Sequence, residues 1–284
     1  MRCILDQRCD DEQPNDGSKS MNAQEYIQAG RLDEALAALQ SEVRNQPADA
    51  KLRTFLFQLL CVLGQWERAM TQLKVLSAFN SETMMLARVF EPLVNCEVLR
   101  AEVFQGKRTP IIFGEPLEWI GLLSQANELL AKGKFSAAQE LREKAFAAAP
   151  TTSGKVNEKP FEWIADADLR LGPMLEAVVE GHYYWIPFCR IKRLYTEPPS
   201  DLRDLVWAPA QFLWVNGGEA CGHIPTRYPG TETSGDPQLR LARKTEWVEQ
   251  AEGLTTGLGQ RIFATDTDDY PLLECRTIDL VHAD

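Results

Sequence analysis

Apolar side chains recur at helical spacing through the first 150 residues and at strand spacing beyond them. Leu32, Ala35, Leu36, Leu39 and Val43 follow the i, i+3, i+4, i+7 rule and predict one amphipathic helix. Leu52, Phe55, Leu56, Leu59, Leu60 and Leu63 make a broader stripe, expected of a helix covered by neighbours, and Trp66, Ala69, Met70 and Leu73 make another. Residues 82–104 continue the period through Leu86, Phe90, Leu93, Glu97, Val98 and Ala101, with Pro92 expected to kink or interrupt that helix. Residues 106–116 are glycine- and proline-rich and predict a loop, followed by helices over 117–131 and 134–149.

One short pattern recurs inside this region. Gly30, Leu32 and Ala35 are matched by Gly64, Trp66 and Ala69, and again by Gly133, Phe135 and Ala138. The glycines stand 34 and then 69 residues apart, and Pro47 and Pro150 each follow the alanine by 12 residues. Glycine admits the tight turn between two antiparallel helices, and the bulky residue opens the second helix. Alanine permits close helix approach, and proline ends the unit because it lacks a donor N–H. Spacing and chemistry match helical hairpins of the tetratricopeptide (TPR) kind, whose stacking leaves a concave groove for a peptide or helix. An irregular bundle with unrelated glycines is the competing description.

The second half changes character. Residues 150–160 (PTTSGKVNEKP) read as an interdomain linker. Beyond them Tyr183–Ile186, Gln211–Val215, Gln260–Ala264 and Leu272–Cys275 are short aromatic or branched runs that predict strands. Asp201–Trp207 and Pro237–Arg243 suit short helices, and Pro173–Glu180 suits either state. The expected fold is α+β: a disordered extension over 1–20, a TPR-like helical domain over 21–150, the linker 151–160, and a strand-rich, partly open barrel-like α+β domain over 161–284. Met21 directly precedes the first periodic segment and is an alternative initiator.

Charge narrows the partners. The net charge is −11. Residues 151–284 hold 21 acidic against 13 basic side chains, a net of −8, which leaves −3 for the first 150. Nucleic acid and anionic membrane are therefore disfavoured as partners, and no apolar run approaches the length of a membrane span. The seven cysteines are scattered without a C-x-x-C pair, which fits a reduced cytoplasm; Cys61 and Cys96 fall in apolar helical patterns. His182, His223 and His282 lack metal-ligand spacing, so no metal site is expected, and no cofactor motif is present. Gly253, Gly257 and Gly259 miss a dinucleotide-binding register. Asp266, Asp268 and Asp269 miss the calcium-loop pattern, since Pro271 and Thr277 stand where glycine and glutamate are needed.

Two clusters carry candidate chemistry. Asp166, Asp168 and Arg170 alternate, so on a strand they would share a face, either as an acid–base pair or, the favoured reading, as a structural ion-pair ladder. Arg227 and Tyr228 sit between turn residues, as binding hot spots or as a loop that packs its own ring. These five residues are the candidate partner-binding surface.

Several long strings then become specific: EVLRAEVFQGKRTPIIFGEP (97–116), PFEWIADADLRLGP (160–173), EPPSDLRDLVWAPAQF (197–212) and IPTRYPG (224–230), with the stretch 31–69 that holds two of the repeats. Through them the chain from Met21 onward resembles the ImpE/TagJ family of bacterial type VI secretion accessory proteins. The resemblance implies a cytoplasmic, non-enzymatic adaptor that binds a helix of the small contractile-sheath subunit, beside the AAA+ unfoldase that recycles contracted sheath. It brings no catalytic residues. An enzyme using the Asp166/Asp168/Arg170 cluster and a multi-partner regulatory scaffold are the competing functions.

Overall fold

Side-chain caps start three helices of the first half where the hydrophobic period begins. In the computed structural model, which describes residues 21–115 and 117–282, Asn22 forms a capping box with Glu25 and opens α1 (Ala23–Gln28). Asp49 accepts from Lys51 and Leu52 amides to open α3 (Ala50–Val62), and Asn80 opens α5 (Ser81–Phe104). Between them lie α2 (Leu32–Asn45) and α4 (Trp66–Leu76), and α6 (Glu118–Ala131) pairs with α7 (Phe135–Ala148). The expected extension over 1–20 lies outside the described residues.

The repeat signature maps directly onto the hairpins. Gly30, Gly64 and Gly133 adopt φ of +76°, +66° and +70°, the left-handed turn for which glycine is suited. Leu32, Trp66 and Phe135 are the first residues of α2, α4 and α7, and Ala35, Ala69 and Ala138 are fully buried in the helix seams. Two details differ from expectation. Phe135 opens α7 as its pattern predicts but is 37% exposed, whereas the matching Leu32 is buried. The third hairpin, α6–α7, reaches the turn that follows Asp166: Asn127 Nδ2 donates to the Arg170 carbonyl, and the Phe146 ring occupies the space beside Gly172. Pro92 does not interrupt α5, which runs unbroken for 24 residues. The Asn80 cap holds one end of that helix, and side chains near the other end are tied into the sheet.

The strands are β1 (Ile111–Ile112), β2 (Ser153–Val156), β3 (Lys159–Phe161), β4 (Ile164–Asp166), β5 (Met174–Val179), β6 (His182–Pro187), β7 (Ile191–Thr196), β8 (Trp207–Trp214), β9 (Glu219–Pro225), β10 (Thr245–Ala251), β11 (Leu254–Gly259), β12 (Ile262–Thr265), β13 (Asp269–Pro271) and β14 (Thr277–Val281). Nine of them form one open sheet, ordered β1-β6-β5-β9-β8-β7-β14-β2-β3; β13-β12-β4 and β10-β11 form two smaller sheets. Every pairing is antiparallel except the short parallel β1–β6 contact. The sheets are not closed into a barrel. The segment 151–160 is no linker: β2 pairs with β14, and β2–β3 is a hairpin of the main sheet. Likewise Leu272–Glu274 is a 3-10 turn after Pro271 rather than a strand, because proline fixes its own φ and donates nothing to a ladder.

Two apolar clusters sandwich this sheet. One runs from α1–α5 into Met174, Val178, Tyr183, Trp185 and Trp207, so the helical array and the strands share a core. The second fills the opposite side of the sheet around Leu175, Ile186, Phe212, Phe263 and Ile278.

Candidate functional site: a buried ion cluster and a helix-lined groove

The sequence-predicted acid row divides at the end of β4. Asp166 is the last residue of that strand, and the chain then turns, so Asp166, Asp168 and Arg170 do not share a strand face. Asp166 pairs with Arg261, which also binds Glu176. Asp168 pairs with Arg170 and accepts the Gly257 amide at 2.8 Å. Glu176 in turn receives Arg100 of α5 at 2.7 and 3.0 Å, and the Tyr183 hydroxyl. Arg100 also donates to the Arg227 carbonyl at 2.7 Å, and Glu97 accepts from Trp207 Nε1 at 2.8 Å.

Burial sets the electrostatics of this cluster. Desolvation, reinforced by Asp168 and Glu176, outweighs Arg261 and lifts Asp166 to about 6. Glu176 is equally buried, yet Arg100 and Arg261 together overcome its desolvation and hold it down at about 2. Asp166, Asp168, Glu176 and Arg261 are all at most 2% exposed, so their oxygens and nitrogens meet protein rather than solute. The arrangement ties α5 to β4, β5 and β12.

Arg227 and Tyr228 are not exposed, as their turn-rich setting suggested, but 4% and 0% accessible. Arg227 donates to the Val62 carbonyl at 2.8 Å, at the end of α3, and its desolvation lowers its pKa to about 10. The Tyr228 hydroxyl donates to Asp166 at 3.1 Å and accepts the Ile262 amide at 3.0 Å. Its ring lies against Trp247, with centroids 5.6 Å apart.

The accessible site lies elsewhere. A cleft of about 880 Å³ runs between α1, α3 and the start of α5 on one side and residues 199–205 on the other. Ile27, Phe55, Leu86, Leu202 and Leu205 give it apolar walls, and Lys51, Glu82, Asp201 and Arg203 stand at its polar margins. Residues 202–205 form a 3-10 turn with a capping box between Asp201 and Asp204, and Asp204 accepts the Ser200 and Asp201 amides at 2.8 and 2.9 Å. Thr226 Oγ1 anchors the turn through the Asp204 carbonyl at 2.8 Å. Periodicity identifies the helical wall; the opposing wall is visible in the sequence only as Pro-Pro followed by a capped turn.

A second cleft, about 540 Å³, lies between α5 and the open face of the sheet, with Val89, Pro92, Tyr195, Cys221 and His223 among its walls. Burial depresses His223 to about 4, and its ring meets the Phe90 edge at 5.7 Å. His182 Nδ1 lies 3.0 Å from the Glu180 carbonyl oxygen. Cys61 and Cys96 are buried thiols whose desolvation raises their pKa, that of Cys96 to about 11. Among the described residues no cluster of His, Cys, Asp and Glu is arranged to hold a metal, and no helix is long and apolar enough to cross a membrane.

A short helical-hairpin array merged through one core with an open sheet, leaving a polar-rimmed groove, defines a repeat protein of the TPR type closed by a β-rich body. A tetratricopeptide-repeat model matches residues 26–83, and the model described as ImpE protein matches 158–279. The type VI secretion system accessory component TagJ of Pseudomonas aeruginosa is 49% identical over 268 residues, 94% of each chain. The crystal structure of protein VPA1032 from Vibrio parahaemolyticus superposes with a TM-score of 0.84 at 26% identity, covering 92% of this chain and 98% of that one. The chain belongs to the ImpE/TagJ family.

Proposed function

We propose that the protein is a non-enzymatic accessory component of type VI secretion that holds a helix of the small contractile-sheath subunit in the groove between α1, α3, α5 and residues 199–205. In this reading it works in the cytoplasm and assists sheath assembly or recycling by the AAA+ unfoldase. The groove carries the reading: it is the larger of the two clefts described, it is lined by α1, α3 and α5 of the array, and its apolar walls with charged margins suit an amphipathic helix. The relative named as a secretion accessory component supports the pathway. The competing enzymatic reading loses support because Asp166 and Asp168 are buried and already paired.

Calorimetric titration of the full chain with a peptide spanning the N-terminal helix of the sheath subunit tests the proposal. Phe55→Asp, at a half-buried wall position, should weaken binding at least about tenfold by placing a charge against an apolar ligand face. A folded wild-type chain that fails to bind, or binding indifferent to Phe55→Asp, would sink the groove assignment. Binding that collapses in high salt would instead favour a charge-driven scaffold built on the acidic second half.

A further inference from the structure

The two hairpins that carry the groove end on one continuous segment of the second half. At the C-terminus of any α-helix the last carbonyls lack intrahelical donors and carry the negative end of the helix dipole. Arg243 donates to the carbonyls of Ile27 and Gln28, at 3.2 and 3.1 Å, at the end of α1. Arg227 does the same for α3, donating to Val62 at 2.8 Å and Cys61 at 3.3 Å, and it also donates to the Arg240 carbonyl at 2.6 Å. One guanidinium thus ties the helix end to the segment itself.

The turn glycines are seated on the same segment. A Cβ on Gly64 would stand 2.5 Å from Glu232 Cγ, and one on Gly30 would stand 3.3 Å from Pro237 Cγ. At Gly133, the matching turn of the α6–α7 hairpin, a Cβ would meet nothing within 4 Å. The contact therefore belongs to the groove-bearing hairpins and not to the turn pattern in general.

The backbone beside Arg243 adds an independent observation. The short helix α8 (Pro237–Arg240) closes at Ala242, a buried non-glycine residue with φ +52°. That left-handed conformation disfavours any residue with a Cβ, so surrounding contacts must impose it. The Arg243 amide donates to Gln238 at 2.9 Å, and Gln260 Nε2 donates to the Ala242 carbonyl at 2.6 Å. Here the chain turns so that Arg243 reaches back to α1.

We infer that residues 227–243 are a positioning strap: Arg243 and Arg227 fix the ends of α1 and α3, and so set the spacing of the two helices whose Ile27 and Phe55 line the groove. Neither arginine lines the groove itself. The binding consequence rests on the groove reading above; the structural one does not. Arg227 is buried, so its loss risks the whole fold, whereas Arg243 is exposed and Arg243→Gln should leave a folded chain.

Hydrogen exchange on the full chain is the direct measurement. The amides of Ala29, Gly30 and Arg31 are bonded to carbonyls of Glu25, Ile27 and Tyr26 and report closure of α1. In Arg243→Gln they should exchange about two- to tenfold faster, with α6 and α7 unchanged, and Arg243→Lys should restore part of the protection. If the strap sets helix spacing, the altered groove should also bind the sheath-helix peptide about two- to tenfold more weakly. Unchanged exchange at residues 29–31 overturns the strap, and faster exchange with unchanged affinity overturns its role in setting the groove. If the wild-type chain does not bind the peptide, the groove reading falls, and the exchange result still decides the strap.

Discussion

Arg100 is one of the points at which the helical array is fastened to the sheet, and its replacement by methionine should show how strongly. The guanidinium makes two bonds to Glu176, at 2.7 and 3.0 Å, one to the Arg227 carbonyl at 2.7 Å, and a longer one to Glu97 at 3.3 Å. Methionine fills much of the same volume and donates nothing. Glu176 keeps Arg261 and Tyr183, but Glu97 is left buried with Trp207 as its remaining side-chain partner. Removing one member of a buried pair costs about 3–5 kcal/mol, a large share of the roughly 5–15 kcal/mol that holds a folded chain. At about 2–4 °C per kcal/mol for a chain of this size, the midpoint should fall by roughly 6–20 °C. Urea unfolding followed both by far-UV circular dichroism and by tryptophan fluorescence is the assay, since Trp185 and Trp207 lie in the core shared by helices and sheet. Adding Glu97→Gln should recover part of the loss by removing the stranded carboxyl. A loss below about 1 kcal/mol, or a helical signal that melts apart from the tryptophan signal, would refute the fastening role.

Acidification should expose opposing contributions. Glu176, depressed to about 2, stabilises the fold above its unfolded pKa near 4.5 and loses that contribution as pH falls towards 2. His223, depressed to about 4, favours the fold while neutral and loses that contribution as pH falls from 6.5 to 4. Asp166, raised to about 6, does the reverse, since the folded chain keeps a proton that the unfolded chain has shed; stability falls as pH rises from about 4 to 6. His223→Phe should therefore make the urea midpoint decline between pH 5 and 6, above the range in which Glu176 still adds stability with rising pH; a midpoint that still rises over that range would contradict the assignment. Gly133→Ala, at an open left-handed turn, should cost about 1–2 kcal/mol, and Gly64→Ala more, because its methyl group collides with Glu232. Combining Gly64→Ala with Glu232→Ala should narrow that difference in chemical denaturation, and equal costs for the two glycine variants would contradict the packed turn.

The features legible in the sequence are those written locally. Gly30, Gly64 and Gly133 announce their turns because the left-handed backbone selects glycine, and Ala35, Ala69 and Ala138 mark the seams through size alone. The β2–β3 hairpin escaped notice because its positive-φ turn uses Asn157 and Glu158, where Asn-Gly is the recognisable signal. Asp166 misled for a different reason: its partner Arg261 lies 95 residues away, and alternation cannot report a pairing made across the fold. Arg227 is harder still, because its acceptors are backbone carbonyls and carry no residue identity. The wall at 199–205 becomes part of a groove only once α3 lies beside it.

The position of β14 bears on how the protein can be made. This strand, Thr277–Val281, lies inside the main sheet between β7 and β2, although among the described residues it is the last strand in sequence. During synthesis the array can form early from local contacts, while β2 and β3 must wait for a strand made more than a hundred residues later. Until β14 clears the ribosome, the flank of β7 that it will cover is an unpaired edge, open to any other extended chain. A nascent chain that lacks β14 would thus combine a largely formed helical front with an adhesive sheet edge, which makes synthesis of β14 the step that seals the sheet.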